Sequence, residues 1–364
     1  MPFQPFDIHE DIAKAWTPPG AFYTDETAYE AAKERVFAPS WQFLGDLDAA
    51  KVPGQATPFT ILEGCLDEPV VLTRDANDQI HLVSNVCTHR GMLVVEGACN
   101  ERFLRCRYHG RRFGMDGRFQ HMPEFEGVEG FPCEKDHLAP IPRFEWSKLL
   151  FASIRPSHSA EDVLRPMLDR VGWMPLDQAV HEPTQSRDYM VNANWALYVE
   201  NYLEGFHIPF VHASLNSVID YGRYAVELHD HCSVQVAYTD SGGDVFALPE
   251  SSPDYGQSIA AYYFWVFPNL MFNFYPWGLS VNVVRPLGPS RTKVSFIRYV
   301  WDPSRLGTGA GGDVDRVERE DEAIVEAVQK GLRSRIYDRG RYSVARETGT
   351  HHFHRLLTQA LFGG

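Results

Sequence analysis

Cys87-Thr88-His89-Arg90-Gly91 and Cys106-Arg107-Tyr108-His109-Gly110 each carry one thiol, one imidazole and a closing glycine. The spacing is Cys-x-His in the first and Cys-x-x-His in the second. Two such loops can hold one zinc, or a two-iron, two-sulfide cluster in which one iron takes both sulfurs and the other both imidazoles. Structural zinc usually draws on two cysteines or two histidines a few residues apart, whereas each loop here mixes the two. Glycine after each histidine lets the backbone turn tightly and approach bound sulfide. The other four cysteines, Cys65, Cys99, Cys133 and Cys232, lack a matched histidine set and read as buried free thiols.

Around these loops the chain is long and acidic: 364 residues, 34 basic against 48 acidic side chains, net charge −14. That length buries a large core without disulfides, and the acidic surface disfavours nucleic acid, which needs neutralised phosphates. No apolar run reaches the roughly 18 residues of a membrane span. The start, Met1 to Asp7, has neither a basic nor an apolar leader region, so a cytoplasmic location is expected. Residues 1–40 form an N-terminal segment with helical signals from residue 10 to 40. From 41 to 155, short alternating runs broken by glycine and proline predict an antiparallel β-domain. From 156 to 364, helices mix with long strands such as Ala261–Phe267 and Thr292–Val300, an α+β pattern. The run Gly307-Thr308-Gly309-Ala310-Gly311-Gly312 matches a dinucleotide fingerprint in letters. The helix after it opens with Asp313 and Asp315, which would repel a pyrophosphate, so it reads as a surface loop.

A second centre is suggested further on. Residues 192–207 read as a helix ending before Pro209, with His212 just beyond. On one continuous helix His207 and His212 would lie about 140° apart. A break at Pro209 allows His212 to swing back. Two histidines and one carboxylate form the open facial site of non-heme iron(II) oxygenases. Glu204, one turn before His207, suits support of a ligand better than ligation. The helix Val317–Val328 supplies the acid: Val317, Ile324, Val325 and Val328 share a face, and Asp321 borders it. Glu318, Glu320 and Glu322 read as solvated charge. Pattern alone leaves Asp321 open between ligand and solvated charge.

At these positions the sequence resembles the Rieske non-heme iron oxygenases, terminal oxygenase (alpha subunit) family. The two Cys/His loops, Phe113-Gly114-Met115-Asp116-Gly117-Arg118, Asn201-x-x-Glu204-x-x-His207-x4-His212 and Glu320-Asp321…Gln329-x-Gly331-Leu332 carry the resemblance. One departure is Arg111, where many relatives have tryptophan. The resemblance implies an α+β protein: an N-terminal antiparallel β Rieske domain (41–155) and a C-terminal, helix-grip-like α+β catalytic domain with a large antiparallel sheet (156–364). Residues 1–40 would pack on the latter. It implies a [2Fe-2S] cluster on Cys87, His89, Cys106 and His109, mononuclear Fe(II) on His207, His212 and Asp321, and O2 as co-substrate. Glu204 and Asn201 become the catalytic residues, Glu204 linking a cluster histidine of one subunit to the iron site of the next. A separate NAD(P)H-dependent reductase or ferredoxin would supply electrons to a homotrimer acting on a small-molecule substrate. Glutamate at 204 is more like the choline, carnitine and betaine monooxygenase branch than the aromatic-ring dioxygenases.

The competing reading is a Rieske electron-transfer protein with a binding module and no reactive iron. Tyr262, Tyr263, Phe264, Trp265, Phe267, Phe272, Phe274, Tyr275 and Trp277 are candidate pocket residues, although strand alternation lets only some face a cavity. His351, His352 and His354 read as solvated or stacked imidazoles on a C-terminal helix.

Overall fold

The computed structural model describes residues 4–212, 221–239, 244–311 and 314–363, and it separates into two compact units. One unit runs from Ala38 to Ser157; the other joins the segment up to Phe37 with everything from His158 onward.

The first unit is built from short strands. β1 (Gln42–Asp46), β10 (Leu149–Ala152) and β9 (Arg143–Trp146) form one antiparallel sheet. A second has the order β4 (Ile80–Ser84), β3 (Glu68–Arg74), β2 (Gln55–Ile61), β5 (Cys99–Asn100). β6 (Leu104–Arg105), β7 (Arg112–Phe113) and β8 (Phe119–His121) form the third. Alternation along these strands turns Ala56, Val71, Val83, Leu104 and Phe113 inward, and Cys87 and Cys106 belong to the same apolar cluster. All six cysteines are free thiols. Cys99 and Cys133 are exposed, contrary to the buried expectation, because β5 pairs only at the sheet edge and Cys133 opens a surface turn.

The second unit is organised around an eight-stranded antiparallel sheet. Its order is β11 (Val180–His181), β18 (Arg291–Val300), β17 (Gly278–Gly288), β16 (Leu270–Tyr275), β15 (Ile259–Val266), β14 (Cys232–Tyr238), β13 (Ala225–Leu228), with β12 (Arg187–Val191) also pairing β18. The helices are α1 (Glu26–Ala32), α2 (Ala160–Val171), α3 (Trp195–Tyr202), the single turn α4 (Ile208–Val211), α5 (Val314–Gly331) and α6 (Thr348–Phe362). The N-terminal segment is tied into this unit by Phe37, edge-on to Trp195 at 4.8 Å, and by Arg35, whose guanidinium donates to the Leu361 carbonyl at 2.6 Å. Period-two alternation gives the sheet two different faces. Gln235 lies opposite Tyr263, Tyr263 opposite Asn273 and Asn273 opposite Ser280, a polar row across four strands. Tyr262, Phe264, Phe272 and Phe274 point the other way into a closed apolar layer.

No helix of the described residues is long and apolar enough to cross a membrane. Gly307 and Gly309 have left-handed φ values of 78° and 61°, and Gly309–Gly311 is a single helical turn. Gly312 and Asp313 lie outside the described residues. Of the two alternatives for the imidazoles of α6, solvation fails and ring contact holds: His351 and His354 lie against Tyr342 and His352 against Trp265, and buried His354 meets the Tyr342 hydroxyl at 2.7 Å and Glu200 at 3.0 Å. His351 and His352 point Nε2 at the His9 and His229 carbonyls, each at 2.8 Å.

Candidate active site and metal centres

The two Cys/His loops fold alike despite their different spacing. The Cys87 N–H donates to the Met92 carbonyl and the Gly91 N–H to the Cys87 carbonyl, at 2.8 and 3.0 Å. In the second loop Cys106 donates to Arg111 and Gly110 to Cys106, at 2.9 and 3.0 Å. In both loops glycine is four residues after cysteine, at φ 75° and 76°, a conformation that other residues rarely adopt. The matched turns bring Cys87 and Cys106 into the same buried apolar cluster. They also bring Nδ1 of His89 to 3.2 Å from Nδ1 of His109, with the rings nearly perpendicular at 73°. Burial, then the adjoining Cys106 thiol, pushes the Cys87 thiol up, and burial with the neighbouring His109 and Arg111 charges pushes His89 down. A sulfur pair beside an imidazole pair, both nitrogens converging, fits a cluster whose two irons take different ligands.

Arg111 fills the position of the absent tryptophan. Its buried guanidinium donates to Asp136 Oδ1 at 2.6 Å and lies over the rings of Phe113, Phe119 and Phe131 at 5.0 to 5.8 Å. The Asp136 carbonyl also accepts the Thr88 hydroxyl at 2.9 Å, so one turn holds both loops.

In the second unit the chain breaks earlier than Pro209. α3 ends at Tyr202, and Pro209 opens the one-turn helix α4, where its missing N–H costs nothing. The break falls at residues 203–207. A Cβ on Gly205 would come within 2.7 Å of the Tyr224 ring, so this turn needs glycine. His207 and His212 cap the two ends of α4 with ring centroids 5.0 Å apart. His212 Nε2 is 2.9 Å and His207 Nε2 3.5 Å from Asp321 Oδ1. Among the described residues these three form the group whose ligand atoms all lie within 4.8 Å of one another.

Each imidazole is oriented from behind. Glu204 Oε1 is 2.7 Å from His207 Nδ1, and its other oxygen accepts the N–H groups of Phe206 and His207. Glu320 Oε2 is 2.8 Å from His212 Nδ1. Asn201 Nδ2 donates to Asp321 Oδ1 at 2.7 Å. Burial drags His212 down, but the Asp321 and Glu320 carboxylates outweigh it and the net shift is upward. Two nitrogens and one oxygen around an open point, each imidazole backed by a carboxylate, fit a non-heme iron site.

The solvated reading of Glu318 and Glu320 fails. Glu320 engages His212, and Glu318 is only 4% exposed, with its carboxyl pushed well up by burial and by the Asp321 charge. The inward stripe of α5 is Glu318, Val325 and Gln329, leaving Ile324 and Val328 at 41% and 43% exposure. A cavity of about 120 Å3 joins these groups, lined among others by Tyr198, Tyr202, Tyr224, Gln235 and Phe296. Of the expected aromatics only Tyr263 and Tyr275 border it. Ala310, within the glycine run, also borders it, so that loop is not merely surface.

The comparisons with known proteins agree with this chemistry. The profile of the Rieske [2Fe-2S] domain matches residues 40–132, and that of the ring hydroxylating alpha subunit catalytic domain matches residues 176–362, just over half of the chain. The chain belongs to the ring-hydroxylating oxygenase alpha subunits. Choline monooxygenase of Arabidopsis thaliana is 31% identical over 97% of this chain and 84% of its own. The carnitine monooxygenase oxygenase subunit of Escherichia coli K12 is 30% identical over 95% and 94%. Among solved structures, the quaternary ammonium Rieske monooxygenase CntA with L-carnitine superposes with TM-score 0.77 at 23% identity, covering 98% of this chain and 99% of that one. Naphthalene 1,2-dioxygenase of Rhodococcus sp. has TM-score 0.72 at 19% identity, covering 95% and 94%. This oxygenase therefore carries a [2Fe-2S] cluster and mononuclear iron, consumes O2, takes electrons from a separate reductase and acts on a small molecule. The electron-carrier alternative is set aside.

Proposed function

We propose that this oxygenase hydroxylates or oxidatively demethylates a small ammonium compound. The observation that carries this reading is the tyrosine-lined cavity of about 120 Å3 beside the His207, His212 and Asp321 group. An engineered cavity of roughly 150 Å3 holds benzene, so this one suits a trimethylammonium head and not a fused-ring arene. Tyrosine faces attract such a cation. The named activities of the Arabidopsis and E. coli relatives support the same class.

In our reading Cys87, His89, Cys106 and His109 hold the cluster, and His207, His212 and Asp321 hold the iron. When bound, these groups supply single electrons and activation of O2. The chain's own residues prepare the site for them. Glu204 and Glu320 hold the Nδ1 protons of His207 and His212, which turns both Nε2 lone pairs toward Asp321. Asn201 fixes one Asp321 oxygen and leaves the other to adjust. Glu204 is the in-chain half of a bridge to a cluster imidazole of a neighbouring subunit, in a homotrimer. Six cysteines outside any disulfide suit a reducing compartment, and we place the enzyme in the cytoplasm.

The test is O2 uptake by the reduced, reductase-coupled enzyme with choline, carnitine, benzoate and indole. Product-coupled uptake with an ammonium compound is expected. Coupled turnover confined to benzoate or indole refutes the reading.

A further inference from the structure

Two side-chain oxygens in the cavity wall have no partner. Glu318, on α5 one turn before Asp321, accepts the Tyr198 hydroxyl at Oε2 at 2.7 Å, while Oε1 is buried without a hydrogen bond. Gln235, on β14, donates Nε2 to the Tyr202 carbonyl at 2.6 Å, and its Oε1 is also unpaired. That bond fixes the amide orientation, because a carbonyl only accepts. Two neighbouring donors are engaged elsewhere, Tyr202 on Asn273 Oδ1 and Asn201 on Asp321. No lysine or arginine is among the described residues lining the cavity, whereas Glu204, Glu318 and Asp321 are. Leaving a buried acceptor unmatched is costly, so the natural complement is a ligand that brings donors and positive charge.

We propose that Glu318 is the specificity-determining counter-charge of this site, selecting a small ammonium alcohol that carries no carboxylate. This rests on the ammonium reading above and narrows it. Burial holds the Glu318 carboxyl well up in the empty site, and an arriving cation favours its ionised form. The cation lies against Glu318 and the tyrosine faces, and the hydroxyl is placed to fill an open acceptor such as Gln235 Oε1. A substrate carboxylate would meet acidic side chains with no lysine or arginine among the described lining residues, so a carnitine-type compound is disfavoured relative to a choline-type one.

The test measures binding to the anaerobic, iron-loaded enzyme by calorimetry. The probes are choline, its uncharged carbon analogue 3,3-dimethylbutan-1-ol, and L-carnitine. Wild type should bind choline at least about tenfold more tightly than either other probe. Glu318→Gln keeps the shape and the Tyr198 contact but removes the charge. It should weaken choline about 30-fold and leave 3,3-dimethylbutan-1-ol within about twofold. If wild type does not prefer choline over the uncharged analogue, both this proposal and the ammonium reading fall. A preference that survives Glu318→Gln overturns this proposal alone, as does equal weakening of both probes, which marks a structural role. Carnitine binding as tightly as choline overturns the carboxylate-free class. Tyr198→Phe removes the hydroxyl on Oε2 but keeps the charge, and covers the case in which Glu318→Gln does not fold. It should retain the choline preference, and loss of that preference overturns the assignment.

Discussion

Replacing Asp136 by alanine should damage the cluster-binding unit more than replacing Arg111 by methionine, although each change breaks the same ion pair. The asymmetry follows from burial: the Arg111 side chain is 2% exposed and that of Asp136 17%. Without Asp136, Arg111 keeps a full charge among three phenylalanine rings and Nε still has no partner, a cost of about 3–5 kcal/mol. Without Arg111, the carboxylate reaches water and still accepts the Cys133 N–H at 2.7 Å, so the cost is about 1–2 kcal/mol. For a unit of this size that difference moves the midpoint for thermal loss of the cluster's visible absorbance by about 10–15 °C for Asp136→Ala against about 5 °C for Arg111→Met. The double variant should recover toward Arg111→Met, with a coupling of about 2 kcal/mol. Arg111→Met should also move the cluster potential downward, since a guanidinium beside Cys87 favours the added electron. Equal single-variant losses, or strict additivity in the double, would refute the reasoning.

Glu204→Gln should leave both metal centres loaded but slow reoxidation of the reduced cluster about tenfold with substrate present, read by stopped-flow absorbance; an unchanged rate removes its bridging role. Asn201→Ala frees Asp321 Oδ1 and should weaken mononuclear iron binding about tenfold, measured by competitive chelation, with the cluster spectrum unaltered. In the iron-free enzyme His212 has a raised pKa, so its stabilisation is complete below the unfolded value near 6.5 and fades as pH rises through the folded value. His212→Gln should therefore lose most stability near pH 6 and little at high pH, a trend that thermal melts across pH will reveal. Iron binding opposes this protonation, so wild-type iron affinity should rise with pH.

The cysteines and histidines brought together in both centres are those singled out by type and spacing, because ligand chemistry is written in residue identity, whereas Asp321 was singled out only by the family resemblance. What was not legible is orientation. A helix that lines a polar cavity inverts amphipathic logic, so α5 buries Glu318 and Gln329 and exposes Ile324 and Val328. Proline signalled a break near residue 209, but the chain turns at residues 203–207, where Gly205 sits against Tyr224, a tertiary neighbour invisible in a local window. The aromatic run of β15 and β16 gave composition but not face. Only Tyr263 and Tyr275 reach the cavity, while Tyr198 and Tyr202 come from a helix and Phe296 from β18. The histidines of α6 carried no sign of Tyr342 or Glu200, which approach from distant segments.

The central claim is one mononuclear iron on His207, His212 and Asp321 in addition to the cluster, and iron counting tests it most directly. Anaerobically reconstituted wild type should hold one iron beyond the two of the cluster and give a nitric oxide-reactive ferrous signal. Asp321→Ala should lose that iron and that signal while keeping the visible spectrum. Wild type with cluster iron alone, or an Asp321→Ala variant with the signal intact, would contradict it.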